Sequence, residues 1–338
     1  MESQKKQAIK IKLIHGIILL TSIILGVTFI LSIYYSIQIG ASKDSNIQIQ
    51  DMQKHYSVLL IGNESNFNEE LKMGMVLEAE EKDIALEFHM IDDVDQATEI
   101  IDMLVRAGVD GIITQGINNP AFLEALKTVT KEKIPLVLAY TDLSTAERDA
   151  FVGINPFEMG NAVAKLLTQA GPGDGKIVFI SQSFSEVSEN PASKMHVLGF
   201  LDGLEGYVNP EHVIIKASQP TLLSAEGLVS ELFIQDDGIS AVVCTNETDT
   251  IGVAQVVIDL NRVGKTTIIG TGFTEEIAEY IDKGIVYGTL YRNPVNMGTM
   301  VIDTLTDLEN AQTHVEMPLE LITKENIDLY RPLIGGKP

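Results

Sequence analysis

The chain has one cysteine, Cys244, among its 338 residues. A single thiol excludes an intramolecular disulfide and a cysteine-based zinc site. Its neighbours Ala241, Val242 and Val243 read as a buried strand in which the thiol acts as a small apolar group. Positive charge is also scarce. Lys and Arg number 24 against 47 Asp and Glu, a formal charge of −23. Residues 1–12 carry Lys5, Lys6, Lys10 and Lys12 against Glu2, so the chain beyond them carries −26. Such a body repels phosphates and has no basic stripe to compensate, which excludes nucleic-acid binding. A nucleophile elbow, a His-x-x-x-His metal pair and a cofactor fingerprint are all missing, so neither an enzyme nor a resident cofactor or metal is expected. The run Gly171–Lys176 looks like a phosphate loop, but it lacks the glycine spacing and the Ser/Thr after lysine. It also leads from helix to strand, the wrong order.

What the chain does contain begins with Leu13–Ile39, an uncharged run rich in Ile, Leu, Val and Phe. It exceeds the ~20 apolar residues that span a bilayer. The lysines before it set the N-terminus in the cytoplasm and the long C-terminal part outside the cell membrane, with Tyr34 and Tyr35 near the outer interface. A cleaved signal peptide is the alternative. The run is longer than the ~7–15 residues of a signal's apolar core, and Ile39-Gly40-Ala41 makes a poor cleavage site. No lipoprotein cysteine follows. The expected order is a cytoplasmic basic tail over 1–12, a transmembrane helix over 13–39 and a polar stalk over 40–55.

From Tyr56 onward, short β-branched runs alternate with amphipathic stretches, the pattern of a parallel sheet covered by helices. Strands are predicted at Tyr56–Ile61, Leu86–Ile91, Gly111–Thr114, Leu136–Tyr140, Ala150–Val152, Ile177–Ser181, Val213–Ala217, Ala241–Thr245, Thr267–Gly270 and Val286–Tyr291. Helices are predicted at Asn68–Lys82, Gln96–Ala107, Pro120–Lys131, Phe157–Gln169, Thr221–Gln235, Asp249–Asn261 and Pro294–Glu309. This is more than one open sheet comfortably holds, so two similar α/β lobes are expected, the first ending near Ile154-Asn155-Pro156.

Several segments, in order, resemble the ribose-binding, type I periplasmic-binding-protein family. They are Leu71–Gly74, Val109–Ile113, Lys133–Val137, Gly153–Gly160, Gly199-Phe200, Asn246-Glu247, Ile268–Gly270 and Gly288–Pro294. The resemblance runs over about residues 56–325. It implies two Rossmann-like, doubly wound lobes joined by three crossovers, near Ile154–Pro156, Tyr291–Asn293 and Met317–Leu319. The N-terminal lobe would comprise 56–155 with 292–318, and the C-terminal lobe 156–291 with 319–330. A ligand would lie in the cleft between them, at the carboxyl ends of the strands.

The same resemblance implies the contacts. Phe67 stands where the family stacks an aromatic on a sugar, and Asn68 replaces a second one. Gln115, Tyr140 and Asp142 follow the third and fourth strands. His196 replaces the family arginine, Asn246 matches its asparagine, and Arg292 stands at an amide position. Four have a plain alternative: packing for Phe67, an ordinary packed or exposed place for His196, solvation for Gln115 and an inter-lobe ion pair for Arg292. The family aspartate near Gly270–Phe273 is replaced by glycine, a loss that Asp142 or Glu247 could restore. The guanidinium suits a carboxylate, a phosphate or a vicinal diol. The expected function is a membrane-anchored receptor for a small sugar-like ligand, signalling to a membrane partner such as a sensor histidine kinase. The alternative is the binding component of a carbohydrate ABC importer, with a permease as partner.

Overall fold

The computed structural model describes residues 54–62, 66–143, 145–182, 191–219 and 222–334. The expected tail, the span over 13–39 and nearly all of the stalk lie outside the described residues. The stalk's last two positions, Lys54 and His55, instead open the first strand. Among the described residues no helix is long and apolar enough to cross a membrane.

Two six-stranded sheets carry the fold. The first contains β1 (Lys54–Ile61), β2 (Ile84–Ile91), β3 (Gly111–Thr114), β4 (Leu136–Tyr140), β5 (Ala150–Gly153) and β11 (His314–Glu316), in the order β11-β5-β4-β3-β1-β2. All its pairings are parallel. The second contains β6 (Lys176–Gln182), β7 (Val213–Ser218), β8 (Ile239–Cys244), β9 (Thr267–Thr271), β10 (Gly288–Tyr291) and β12 (Glu320–Thr323), in the order β12-β10-β9-β8-β6-β7. Only β12 runs antiparallel there. The chain passes between the sheets three times: after β5, after β10 and between β11 and β12.

Central strands are buried on both faces, which explains their unbroken apolar runs. The pleat divides them between separate cores. Val58 and Leu60 of β1 join Phe179 of β6 in one cluster, while Leu59 packs with Leu136 and Leu138 on the other face. Val178, Ile180 and Cys244 lie in a third cluster within the second lobe. Cys244 is fully buried, and burial pushes its thiol well above the usual range.

Around the first sheet lie α1 (Asn66–Glu81), α2 (Val94–Ala107), α3 (Pro120–Lys131) and α9 (Pro294–Thr306). Around the second lie α4 (Pro156–Ala170), α5 (Pro191–Gly203), α6 (Leu222–Gln235), α7 (Glu247–Asp259) and α8 (Glu275–Asp282). Their ends follow local chemistry. Asp93 caps α2 by accepting from Gln96 N at 2.8 Å. Gly108 ends that helix at φ +68°, where its N–H reaches Leu104 and Val105 carbonyls. Each lobe also packs one helix pair through glycines. A Cβ on Gly74 of α1 would stand 1.9 Å from the Val295 carbonyl of α9, and one on Gly199 of α5 would stand 1.9 Å from the Phe157 carbonyl of α4. Both pairs lie beside the chain crossings after β5 and β10.

Candidate functional site

At the carboxyl ends of the two sheets, Arg292 gathers side chains from both lobes around it. It follows β10, where the chain returns to the first lobe, and is only 8% exposed. Its guanidinium lies 4.5 Å from the Phe67 ring centroid and 5.3 Å from that of Tyr140. One of its N–H groups donates to Tyr140 Oη at 2.6 Å. The rings of Phe67 and Tyr140 are themselves 4.6 Å apart, tilted by 48°. A guanidinium over aromatic faces is favoured electrostatically, more so when desolvated.

Tyr140 reaches this position through a strained turn. Its φ is +65°, and Thr141 N donates to Ala139 O at 2.7 Å across it. A bulky residue in the left-handed region costs on the order of 1–3 kcal/mol and persists where its surroundings over-determine it. Here β4 holds one side of the turn. The bond from Gly116 N to Thr141 O at 3.0 Å holds the other.

Two carboxylates face Arg292 from opposite lobes. Glu70 is on the first turns of α1, and Glu247 opens α7. The Asn66 side chain of the first lobe donates to the Glu247 carboxylate of the second, so the cleft is bridged. The backbone N–H of Phe273 donates to the same carboxylate. Burial holds Glu247 above the usual carboxylate range, opposed by Arg292 and by these two donors. Burial, aided by repulsion from Glu247 and opposed by Arg292, raises Glu70 to about 7. His196 of α5 is 6% exposed, and its Nε2 has no hydrogen-bond partner. Its ring meets Phe179 edge-on at 5.3 Å. Burial and then the Arg292 charge lower it to about 4, so it is neutral at physiological pH.

The other expected contacts have structural partners as well. Gln115 accepts from Ile61 N at 2.9 Å and donates to Asn68 Oδ1 at 3.2 Å, while Asn68 donates to Ile61 O at 3.2 Å. These amides tie the end of β1 to the first turn of α1, which carries Phe67. Asp142 is paired with Arg148 at 2.7 Å and accepts from Leu143 N at 2.8 Å. Asn246 caps α7, accepting from Asp249 N at 2.9 Å and donating to Asp249 Oδ2 at 2.5 Å. Ser218 Oγ donates to that same oxygen at 2.5 Å, and Asp249 is fully buried.

Sequence reading named eight residues for one site, of which the structure brings Phe67, Tyr140 and Arg292 into contact. It did not single out Glu70, and it offered Glu247 only as a substitute acid. The available signals were local. Glu70 falls three residues after Phe67, on the same helix face, and a glycine stands where the family carries an acid.

Comparison with known proteins agrees with this architecture. A periplasmic binding protein domain matches residues 56–313. The ABC transporter periplasmic-binding protein YphF of Escherichia coli (strain K12) is 22% identical over 261 residues, covering 72% of this chain and 78% of that protein. GanP, a glucose-galactose binding protein from Geobacillus stearothermophilus, superposes with a TM-score of 0.70 at 24% identity, over 81% of this chain and 99% of its own. A chain of the XylFII-LytSN complex does so with a TM-score of 0.70 at 22% identity, over 80% and 98%. Fold, cleft and family match converge, and the chain belongs to the type I periplasmic-binding-protein family.

Proposed function

We propose that this protein is a membrane-anchored extracytoplasmic receptor that takes a small sugar-like ligand into its interlobe cleft and signals by lobe closure to a membrane partner such as a sensor histidine kinase. The observation that carries the reading is the Phe67–Arg292–Tyr140 stack facing Glu70 and Glu247. An apolar ring, a multiple donor and two acceptors are the chemistry a polyhydroxylated ring requires. Phe67, Tyr140, His196 and Arg292 are the principal contacts in this reading. Asn246 offers the ligand its second amide hydrogen, and Asn68, Gln115 and Asp142 shape the rim. The lobes are 56–155 with 292–318 and 156–291 with 319–330. Leu13–Ile39 is the retained anchor.

Closure is energetically accessible. Shifting a two-state hinge from 1:99 to 99:1 takes about 5.5 kcal/mol of differential binding, and a micromolar ligand supplies about 8 kcal/mol. The similar XylFII chain occurs in a complex with LytSN, which supports the receptor reading. The name of YphF supports the second reading, the binding component of a carbohydrate ABC importer.

A thermal-shift screen of the full chain against a panel of sugars tests the ligand class, since a bound ligand raises apparent stability by mass action. With a ligand in hand, deletion of the gene separates the two readings. Loss of the transcriptional response with uptake intact supports the receptor, and loss of uptake supports the importer. Mass spectrometry of the mature N-terminus tests the anchor. A start at or after Ala41 would overturn it.

A further inference from the structure

The cleft holds more carboxyl groups than cations. Glu70 of α1 and Glu247 of α7 interact with each other and with Arg292. Against these stands one guanidinium, Arg292. Among the described residues it is the sole positive charge acting on either Glu70 or Glu247. Residues 63–65, 144, 183–190 and 220–221 contain no Lys, Arg or His that could add another. His196 is buried, its Nε2 has no hydrogen-bond partner among the described residues, and burial with the Arg292 charge holds it neutral. His196 therefore adds no positive charge near Arg292.

The placement of Glu247 is built into the backbone. A Cβ on Gly272 would stand 1.9 Å from Glu247 Cγ, so the glycine leaves room for the longer acid to reach the cleft from the neighbouring helix. The second lobe thus has a carboxylate at the site, and the first adds Glu70. Burial already raises both carboxyls, Glu70 to about 7, and closing over a neutral ligand would either protonate them further or leave negative charge unpaired, each at a cost. A cationic ligand would offset it.

We infer that the cleft selects a ligand bearing an ammonium group on a sugar-like polyol, an amino sugar or amino cyclitol, over the corresponding neutral sugar. This inference rests on the reading that the cleft holds a sugar-like ligand. The ammonium lies between Glu70 and Glu247, the polyol face packs on Phe67, and Arg292 donates to the ring hydroxyls. The strongly acidic body also raises the local concentration of a cationic ligand at low ionic strength.

Calorimetry on the full chain near neutral pH decides it, using D-glucosamine, D-galactosamine and D-mannosamine beside the parent hexoses and the N-acetyl derivatives. At least one amine should bind about tenfold or more tightly than both its hexose and its N-acetyl form. Glu70→Gln should narrow that ratio. If the variant fails to fold, the comparison with the N-acetyl form, which has the same scaffold without the charge, still decides. A hexose that binds as tightly as its amine, or more tightly, overturns the charge inference and leaves the sugar reading standing. No binding by any member of the three sets overturns both.

Discussion

Glu247 fills the space that a side chain on Gly272 would need, with its Cγ 1.9 Å from the ideal Cβ position. Gly272 also has φ +94°, a conformation that other residues rarely adopt. Gly272→Ala therefore strains the backbone and pushes the carboxylate out of the cleft. It should lower ligand affinity at least about tenfold and lower the melting temperature of the ligand-free protein. Calorimetry and a thermal melt check both. Unchanged affinity would mean that Glu247 does not touch the ligand.

Arg292→Lys should weaken binding by about tenfold, because an ammonium cannot lie flat on Phe67 while donating to Tyr140 Oη. The measurement is affinity beside the ligand-free melting temperature. Intact affinity with a lowered melting temperature would make Arg292 only a brace between the lobes.

The pH profile of ligand-free stability should have two opposed limbs from the cleft. His196 is lowered from 6.5 to about 4 in the fold, so its contribution is present above 6.5 and lost as pH falls through 4. Glu70 is raised from 4.5 to about 7, so its contribution is present below 4.5 and lost as pH rises through 7. Subtracting the profile of His196→Gln from the native one should isolate the acid limb, and subtracting that of Glu70→Gln the neutral limb. Parallel profiles for native protein and variants would remove both groups from the account.

The glycine contacts at the two helix pairs predict matched sensitivity in the two lobes. Gly74→Ala and Gly199→Ala each force a Cβ against a backbone carbonyl 1.9 Å away. Each should cost about 1–3 kcal/mol, the range for overpacking a close contact. Denaturant melts measure this, and a neutral result at either position would show that its helices can separate freely.

Much of the architecture was legible along the chain. The helix predicted at Pro120–Lys131 is observed with those bounds, and Asn119 caps it by accepting from Ala121 N. Gly111–Thr114 and Leu136–Tyr140 also match the observed strands, since each is a short apolar run closed by turn residues. The eight-residue helix Glu275–Asp282 and the three- and four-residue strands β11 and β12 were not individually predicted. They are too short for a period to show, and β11 and β12 exist by pairing with β5 and β10.

By itself the sequence determined the alternation of strands and helices, the caps, the acidic balance and the apolar run near the N-terminus, because each depends on near neighbours or on composition. Only the tertiary structure decided what the cleft residues do. Tyr140 and Arg292 are 152 positions apart, and their bond depends on a turn at φ +65° that no local pattern marked. Asn246 looked like a ligand contact, but Asp249 and the helix N-terminus occupy much of its amide. Glu70 and Glu247 became a pair only when two lobes closed on one guanidinium. A hydrogen bond can be made with whichever partner folding brings near, and that choice lies in the packing of distant segments rather than in their order.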